Sequence, residues 1–242
     1  MKKLTLSIVI PAYNEEKIIK MSLGKIIDYL KVKRYDWEIV VADDGSVDKT
    51  KDLIKNLTHK NKRIKLVRLP QNKGKGGALK KGILAAKGKY IIFMDADLSV
   101  DLGNIDIFLK QLKKESPVVI ASRRVKGAEI EVHQPWHREV MGRVFTFLTR
   151  ILMQVNVADF TCGFKGFTNE AAKKIFSKSL INRWAYDAEI MFLSNKFGYK
   201  IRQMPIVWKN RGDTRVRLKN VIFESFMDLL KIRLNDLRGV YD

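Results

Sequence analysis

Ile91-Ile92-Phe93-Met94-Asp95-Ala96-Asp97 is the stretch on which the reading of this chain turns. Four large apolar residues run straight into two carboxylates separated by one alanine. The run is too short and too uniformly apolar for an amphipathic helix, so it reads as a buried strand. Two acids at the C-terminal end of such a strand are costly without a counter-charge. A hard divalent cation, Mg²⁺ or Mn²⁺, held by Asp95 and Asp97 and shared with a phosphate-bearing ligand would supply one. An isolated Asp-x-Asp also occurs in ordinary surface turns. The flanking sequence has to decide.

On both sides the pattern is strand, loop, helix, repeated. Leu4 to Ile10 reads as a first buried strand stopped by Pro11, and Asn14-Glu15-Glu16 as the start of a helix reaching about Val32. Trp37 to Val41 is a second strand, ending in Asp43-Asp44-Gly45-Ser46, with Asp48 placed to cap a helix over Lys49 to Thr58. Arg63 to Leu69 is a third strand, followed by Gln71-Asn72-Lys73-Gly74-Lys75-Gly76-Gly77 and a helix from Ala78 to Ala86. The central strand, Tyr90 to Asp95, is followed by a helix over Asp101 to Lys114 and a strand over Pro117 to Ser122. This alternation predicts an α/β fold, a parallel sheet with helices on both faces. Ligands in such sheets sit beyond the carboxyl ends of the strands. Pro11 to Glu15, Asp43-Asp44, the glycine-lysine segment, Asp95 to Asp97 and Ser122-Arg123-Arg124 are therefore expected along one edge.

The second half changes character. Pro135 to Gln154 reads as a helix with an apolar stripe (Val140, Val144, Phe147, Leu148, Ile151, Leu152) and basic residues Arg138, Arg143 and Arg150. Asp159 to Phe167 reads as a glycine-bearing connection, then helices over Asn169 to Phe176 and Tyr186 to Lys196. Lys200 to Val207 is a strand, Lys209 to Arg217 a basic loop, and Leu218 to Asp236 a last amphipathic helix. Repeats and low-complexity linkers are absent, so one domain with a C-terminal elaboration is expected.

The formal charge of +21 on 242 residues favours polyanionic partners: nucleic acid, an anionic membrane surface or a phosphorylated substrate. No recognition-helix or RNA-binding signature accompanies it, and carboxylates at the strand ends would repel a nucleic-acid backbone. Cys162 is the one cysteine, which excludes an internal disulfide. The N-terminal apolar run ends in Pro11-Ala12-Tyr13 rather than a small-residue cleavage site. The longest other apolar stretch, Val144 to Val155, is interrupted by Arg150 and falls short of the ~20 residues that span a bilayer.

The glycine-lysine segment permits close backbone approach to phosphates. It is not a P-loop, because the Lys-Ser/Thr spacing is missing. Ten basic residues and no acid lie between Lys62 and Lys89, and of these Lys75 is singled out as a phosphate contact. His59, His133 and His137 are scattered, with no Ser-His-Asp arrangement, and Cys162 has no activating neighbour in sequence. Asp187 and Glu189 lie near a helix start, where acids suit the dipole, although the aromatic setting Trp184-Ala185-Tyr186 also fits a pocket.

These residues resemble a known family. Ser7-Ile8-Val9-Ile10-Pro11-Ala12-Tyr13-Asn14-Glu15-Glu16, Asp43-Asp44-Gly45-Ser46, Asn72-Lys73-Gly74-Lys75-Gly76-Gly77-Ala78 and Asp95-Ala96-Asp97 are similar, in that order, to motifs of the family 2 glycosyltransferases of the GT-A fold. The segments Asp159 to Phe167 and Arg183 to Glu189 resemble the dolichyl-phosphate β-glucosyltransferase branch, related to the dolichyl-phosphate mannosyltransferases. The chain departs from that branch at Trp208-Lys209-Asn210-Arg211, where Gly-Ser-Lys is usual, and in lacking an N-terminal membrane helix.

The resemblance implies an inverting transferase that moves a hexose, glucose favoured, from a nucleoside diphosphate sugar such as UDP-glucose to dolichyl or polyprenyl phosphate. Mannose from GDP-mannose, or a non-lipid glycan acceptor, are the alternatives. Residues 1–125 would bind the nucleotide sugar through Pro11, Tyr13, Glu15, Asp43, Lys75, Asp95, Ala96 and Asp97. Residues 126–242 would meet the acceptor and the membrane interface, with Arg138, Arg143, Lys209 and Arg211 on the lipid phosphate. Asp97, Arg123 and Asp187 are the expected catalytic groups, and Mg²⁺ or Mn²⁺ at Asp95 and Asp97 the cofactor. An acceptor phosphate already ionised at neutral pH needs no strong base, which makes Asp187 a sugar- or acceptor-positioning group. A peripheral location on the cytoplasmic face of a membrane is expected.

Overall fold

The computed structural model describes residues 4–114, 116–133, 135–209 and 218–242. The first half runs β1 (Leu6–Ala12), α1 (Ile19–Lys31), β2 (Trp37–Asp43), α2 (Thr50–Lys60), β3 (Ile64–Arg68), α3 (Lys75–Ala85) and β4 (Tyr90–Met94). It continues through α4 (Asn104–Lys113), β5 (Val118–Ser122), β6 (Glu129–Val132) and α5 (Trp136–Met153). The chain then adds β7 (Phe164–Thr168), α6 (Asn169–Lys178), α7 (Tyr186–Lys196), β8 (Ile201–Pro205), β9 (Val207–Lys209) and α8 (Leu218–Leu237).

Seven strands form one sheet in the order β3-β2-β1-β4-β7-β5-β8, and β6 pairs with β9 in a small second sheet. β4 sits in the middle, and its alternation explains why the sequence shows an unbroken apolar run. Tyr90, Ile92 and Met94 face a core built with α1 and α4 (Ile19, Leu23, Ile26, Ile105, Phe108). Ile91 and Phe93 face the other core, with α3, α6 and α7 (Leu79, Ile83, Ile175, Phe176, Ile190). Both faces are dry, so every position on the strand must be apolar. Strand order reverses at β1, which has β2 on one side and β4 on the other. The crevice beyond the β1 and β4 carboxyl ends is thus the switch point of the sheet.

Four readings from the sequence change. β1 does not stop at Pro11 but pairs on with β2, Pro11 opposite Ala42 and Ala12 opposite Asp43. Pairing with β4 has already ended at Val9, so the missing proline N–H falls at an open side of the strand. Helix α1 starts at Ile19 rather than near Asn14, because Asn14 takes a left-handed φ of 55° and turns the chain first. Helix α3 starts at Lys75, not Ala78, which puts Gly76 and Gly77 inside its first turn.

The largest change is β7. The segment read as a connection is a sheet-central strand, antiparallel to both β4 and β5. Gly166 disguises it: the position is glycine because Leu112 and Phe108 of α4 crowd in, a Cβ there meeting their side chains at 3.1 and 3.2 Å. The sheet is therefore mixed, mostly parallel.

Candidate active site

β1, β2, β3, β4 and β5 are mutually parallel or linked through β7, so their carboxyl ends share one edge. The antiparallel β7 begins at that same edge, with Phe164 opposite Met94. It thereby delivers Asp159 to Gly163, the loop before it, beside the acids that follow β4. A run of parallel strands alone would have carried that loop to the opposite edge.

The loops after β1 and β2 are laced together. Asn14 donates its backbone N–H to Ser46 Oγ at 3.0 Å, Glu15 its N–H to Thr50 Oγ1 at 2.7 Å, and Glu16 its N–H to Asp48 Oδ2 at 3.2 Å. Asp48 also accepts the Thr50 N–H at 2.9 Å, but helix α2 starts at Thr50 with Lys49 as its cap, so Asp48 sits one residue outside the cap role read from the sequence. Asp43 is fully buried, its oxygens accepting the Ser46 N–H at 3.1 Å and Arg68 Nε at 2.9 Å. Tyr13 stands exposed above this turn.

Asp44 has a role that the sequence did not reveal. Its carboxylate accepts Asn72 Nδ2 at 2.9 Å, the Lys73 N–H at 2.9 Å and the Gly74 N–H at 2.8 Å. Burial, the largest influence, raises its pKa against the pull of those donors. The glycine-lysine segment is thus hung from Asp44 on one side. On the other it docks on residues 181–186: Gly77 donates to the Asn182 carbonyl at 3.1 Å. A Cβ on Gly76 would lie 2.5 Å from Tyr186 Cβ, and one on Gly74, whose φ is +105°, 2.6 Å from the Asn182 oxygen. These glycines admit the chain's own backbone, a reason distinct from the phosphate approach read at first.

This docking aims Lys75 across the crevice. Its ammonium meets Asp95 Oδ1 at 2.5 Å. Desolvation draws the Lys75 pKa down, but Asp95, Asp187 and Asp97 outweigh it and hold the ammonium above its ordinary value. Ala96 is buried, Asp97 is exposed, and Asp97 Oδ1 accepts the Ser99 N–H at 2.9 Å. Leu98 follows with a left-handed φ of 54°, a strained choice for a bulky residue, and is buried. The twist returns Leu98 to the core while Asp97 stays outside. Gly163 lies against Asp95: a Cβ there would sit 2.0 Å from Asp95 Oδ2.

Behind this pair is a buried cation the sequence reading passed over. Lys165 of β7 is fully buried and donates to the carbonyls of Phe160 at 2.8 Å and Cys162 at 2.7 Å, and to Asp187 Oδ1 at 2.5 Å. A lysine between Phe164 and Phe167 in an apolar strand was the available signal. Burial, countered by Lys165 and Lys75, holds the Asp187 carboxyl above its ordinary pKa. Asp187 is therefore an enclosed, paired carboxylate. The Tyr186 hydroxyl beside it is buried with no hydrogen-bond partner among the described residues.

Arg123 and the expected acceptor residues are placed differently. Arg123 donates through Nε to Asp159 Oδ2 at 2.7 Å and through Nη2 to Asp159 Oδ1 at 2.8 Å, lying over the Trp208 ring at 5.1 Å. Burial would raise the Asp159 pKa, yet the guanidinium prevails and holds it at about 2. The charge of Arg123 is thus matched by Asp159, not offered to Asp95 and Asp97. Arg143 is exposed on α5, and Lys209 is exposed and 3.4 Å from Glu131. The Arg138 side chain and Arg211 lie outside the described residues. Cys162 is no nucleophile, since burial pushes its thiol up to about 12.

Among the described residues no group of three or more His, Cys, Asp or Glu side chains is arranged to hold a metal. Asp95 and Asp97 still offer hard carboxylate oxygens, with Lys75 at Asp95 Oδ1 and Gly163 packed against the Asp95 carboxylate. That donor set suits a divalent ion completed by substrate oxygens and water.

Residues 7–176 match the family model described as glycosyl transferase family 2. The dolichyl-phosphate beta-glucosyltransferase of Dictyostelium discoideum is 32% identical over 248 residues, covering 98% of this chain and 76% of the relative. The human dolichyl-phosphate beta-glucosyltransferase is 30% identical over 253 residues, covering 98% of this chain and 77% of the relative. Among solved structures, mannosyl-3-phosphoglycerate synthase from Rubrobacter xylanophilus superposes with a TM-score of 0.69 at 16% identity, over 98% of this chain and 75% of that one. Glucosyl-3-phosphoglycerate synthase from Mycobacterium tuberculosis, solved with Mn²⁺, UDP and glucosyl-3-phosphoglycerate, gives 0.66 at 21% identity, over 95% and 80%. The arrangement of sheet and helices is the GT-A fold.

Proposed function

The chain belongs to glycosyl transferase family 2, and on that premise we propose that it moves a hexose, glucose by preference, from a nucleoside diphosphate sugar to dolichyl or polyprenyl phosphate at a membrane surface. Support for the acceptor comes from similarity along nearly the whole chain to relatives named dolichyl-phosphate beta-glucosyltransferase. The observation that carries the chemistry is the Lys75–Asp95 pair at the mouth of the switch-point crevice, with Asp97 and Asp187 acting on the same ammonium.

The base and ribose of the donor lie along Pro11, Tyr13 and Glu15, with the buried Asp43 holding the loop beneath them through Ser46 and Arg68, and its diphosphate lies over Lys75, Asp95, Ala96 and Asp97. Asp95 and Asp97 would hold a divalent metal, Mg²⁺ or Mn²⁺, which would supply positive charge to the diphosphate leaving group. Lys75 adds a charge-assisted hydrogen bond to the same group, letting go of Asp95 to do so. Arg123, locked to Asp159, holds the wall of the site by its shape and its field. Asp187, pinned by Lys165, positions sugar or acceptor rather than abstracting a proton. An acceptor phosphate with a second pKa near ~6 is already a nucleophile at neutral pH. Its oxygen bonds to the anomeric carbon as the bond to the diphosphate oxygen breaks, so configuration inverts and the nucleoside diphosphate departs. Arg138, Arg143, Lys209 and Arg211 gather the lipid phosphate. The donor side falls to residues 1–125 and the acceptor side to residues 126–242.

The test is transfer of radiolabelled glucose from UDP-glucose, and in parallel mannose from GDP-mannose, to polyprenyl phosphate in detergent with Mg²⁺ or Mn²⁺. Label entering the lipid phase from UDP-glucose is the expected result. Label from GDP-mannose alone would reassign the sugar. Silence from both donors, with donor binding intact, would move the acceptor to a non-lipid glycan.

A further inference from the structure

Glu189, in the first turn of α7, is fully buried. An acid at that place suits the helix dipole, yet its carboxylate serves groups outside α7. It accepts the backbone N–H of Leu180 at 2.9 Å and of Ile181 at 2.9 Å, from the segment before the helix, and the hydroxyl of Tyr241 at 2.7 Å. A buried carboxylate is costly unless its oxygens find donors, and these three meet that need. Tyr241 arrives from beyond α8. Gly239 takes a left-handed φ of 69°, its N–H donates to the Asp236 carbonyl at 3.0 Å, and the Val240 N–H donates to the Asn235 carbonyl at 3.0 Å. This Schellman turn folds the chain back on α7. Tyr241 is fully buried there, its ring 6.1 Å from that of Phe192, and Asp242 pairs with Lys196 of α7 at 2.7 Å.

The segment that Glu189 holds is also the platform of α3. The peptide unit between Ser179 and Leu180 joins the two: its N–H lies on Glu189, and its carbonyl accepts Lys80 Nζ of α3 at 2.6 Å. A peptide unit is planar and rigid, so neither end tilts without the other. Two residues on, the Asn182 carbonyl accepts the Gly77 N–H at 3.1 Å. A Cβ on Gly76 would lie 2.7 Å from the Ile181 oxygen, so backbone rests directly on backbone. Lys75 stands between Gly74 and Gly76 at the start of α3, and its ammonium spans the crevice to Asp95. The place of that ammonium is set by where residues 179–182 lie.

We propose that Tyr241 and Glu189 are positioning residues for Lys75. The hydroxyl fixes the carboxylate, the carboxylate fixes the 180–182 backbone, and that backbone fixes the first turn of α3. Neither residue touches the donor. The inference rests on the reading of Lys75 as a contact of the donor diphosphate, and it adds a turn more than 160 residues away in sequence as part of the device that aims it.

The experiment uses Tyr241→Phe in the full chain, which keeps the ring against Phe192 and removes only the hydroxyl. Two quantities are read: hydrogen exchange of residues 72–79 without ligand, and calorimetric binding of UDP with Mn²⁺, with GDP in parallel. Exchange over 72–79 should quicken severalfold while α2 keeps the parent rate. Nucleotide affinity should fall severalfold, and Glu189→Gln should act in the same direction more strongly. In a Lys75→Gln background Tyr241→Phe should cause no further loss of affinity, because the two changes remove the same contact. A purely structural role would give equal losses in both backgrounds, and that result overturns the proposal. Unchanged exchange over 72–79 overturns it whatever the nucleotide does, as does faster exchange with undiminished affinity. Faster exchange over 72–79, with neither nucleotide bound by the parent, would uphold the link to α3 and sink the donor reading.

Discussion

Two charge clusters stand at the same edge of the sheet and do different work. Arg123 and Asp159 form a closed pair: both carboxylate oxygens are taken by the guanidinium, Oδ2 also by the Arg123 N–H, and Thr161 accepts a further guanidinium hydrogen. Asp159 is fully buried, so nothing remains on that carboxylate for a ligand. The second cluster is graded. Lys165 and Asp187 are buried and paired, Lys75 and Asp95 are paired but partly exposed, and Asp97 is exposed. A saturated ion pair fixes a loop. A chain of charges that loosens toward solvent can exchange an internal partner for a ligand.

Three experiments would break or sharpen this contrast. The largest effect on stability is expected at the buried end of the open cluster. Lys165→Met leaves Asp187 enclosed without its cation, and urea denaturation should show a loss of about 3–5 kcal/mol. A loss below about 1 kcal/mol would mean that water reaches Asp187 and that the cluster is not graded as described.

At the outer end the effect moves from stability to turnover. Asp97→Ala removes one backbone hydrogen bond at an exposed position. Its unfolding free energy should stay within ~0.5 kcal/mol of the parent, while sugar transfer falls about 10²–10³-fold. Near-normal transfer would remove Asp97 from the metal and diphosphate site.

The smallest effect belongs to the closed pair and appears only in acid. Asp159 is held at about 2 in the folded chain against an ordinary 3.8. Its folded pKa is depressed, so the stabilisation is complete above the ordinary carboxylate range and is lost as pH falls from about 4 to about 2. Linkage puts this on the order of 2 kcal/mol. Thermal melts across that window should show a shallower slope for Asp159→Asn than for the parent. Parallel slopes would mean that the pair is open to water.

Much of the fold was legible because its signals are local. Strand β4 announced itself by an unbroken apolar run, and the bounds read for α7, Tyr186 and Lys196, agree with the structure. The strand-end loops could be assigned to one edge before any coordinates, since β1, β2, β3 and β4 are parallel by their connections. Strand β7 was hidden because Gly163 and Gly166 look like loop residues until α4 and Asp95 are seen against them. Asp44 looked like a turn residue for a similar reason: its partners, Asn72, Lys73 and Gly74, lie some thirty positions away.

By itself the sequence determined the parallel strands and helices of the first half and the acids that follow β4, because periodicity and strand-end chemistry are carried by neighbouring residues. Only the tertiary structure decided which charge meets which. Lysine reads as a surface residue until Asp187 and two carbonyls close around Lys165, and Arg123 reads as a free cation until Asp159 arrives from the loop before β7. These pairs join residues remote in sequence, and burial lowers the local dielectric enough that the partner determines the state of each charge.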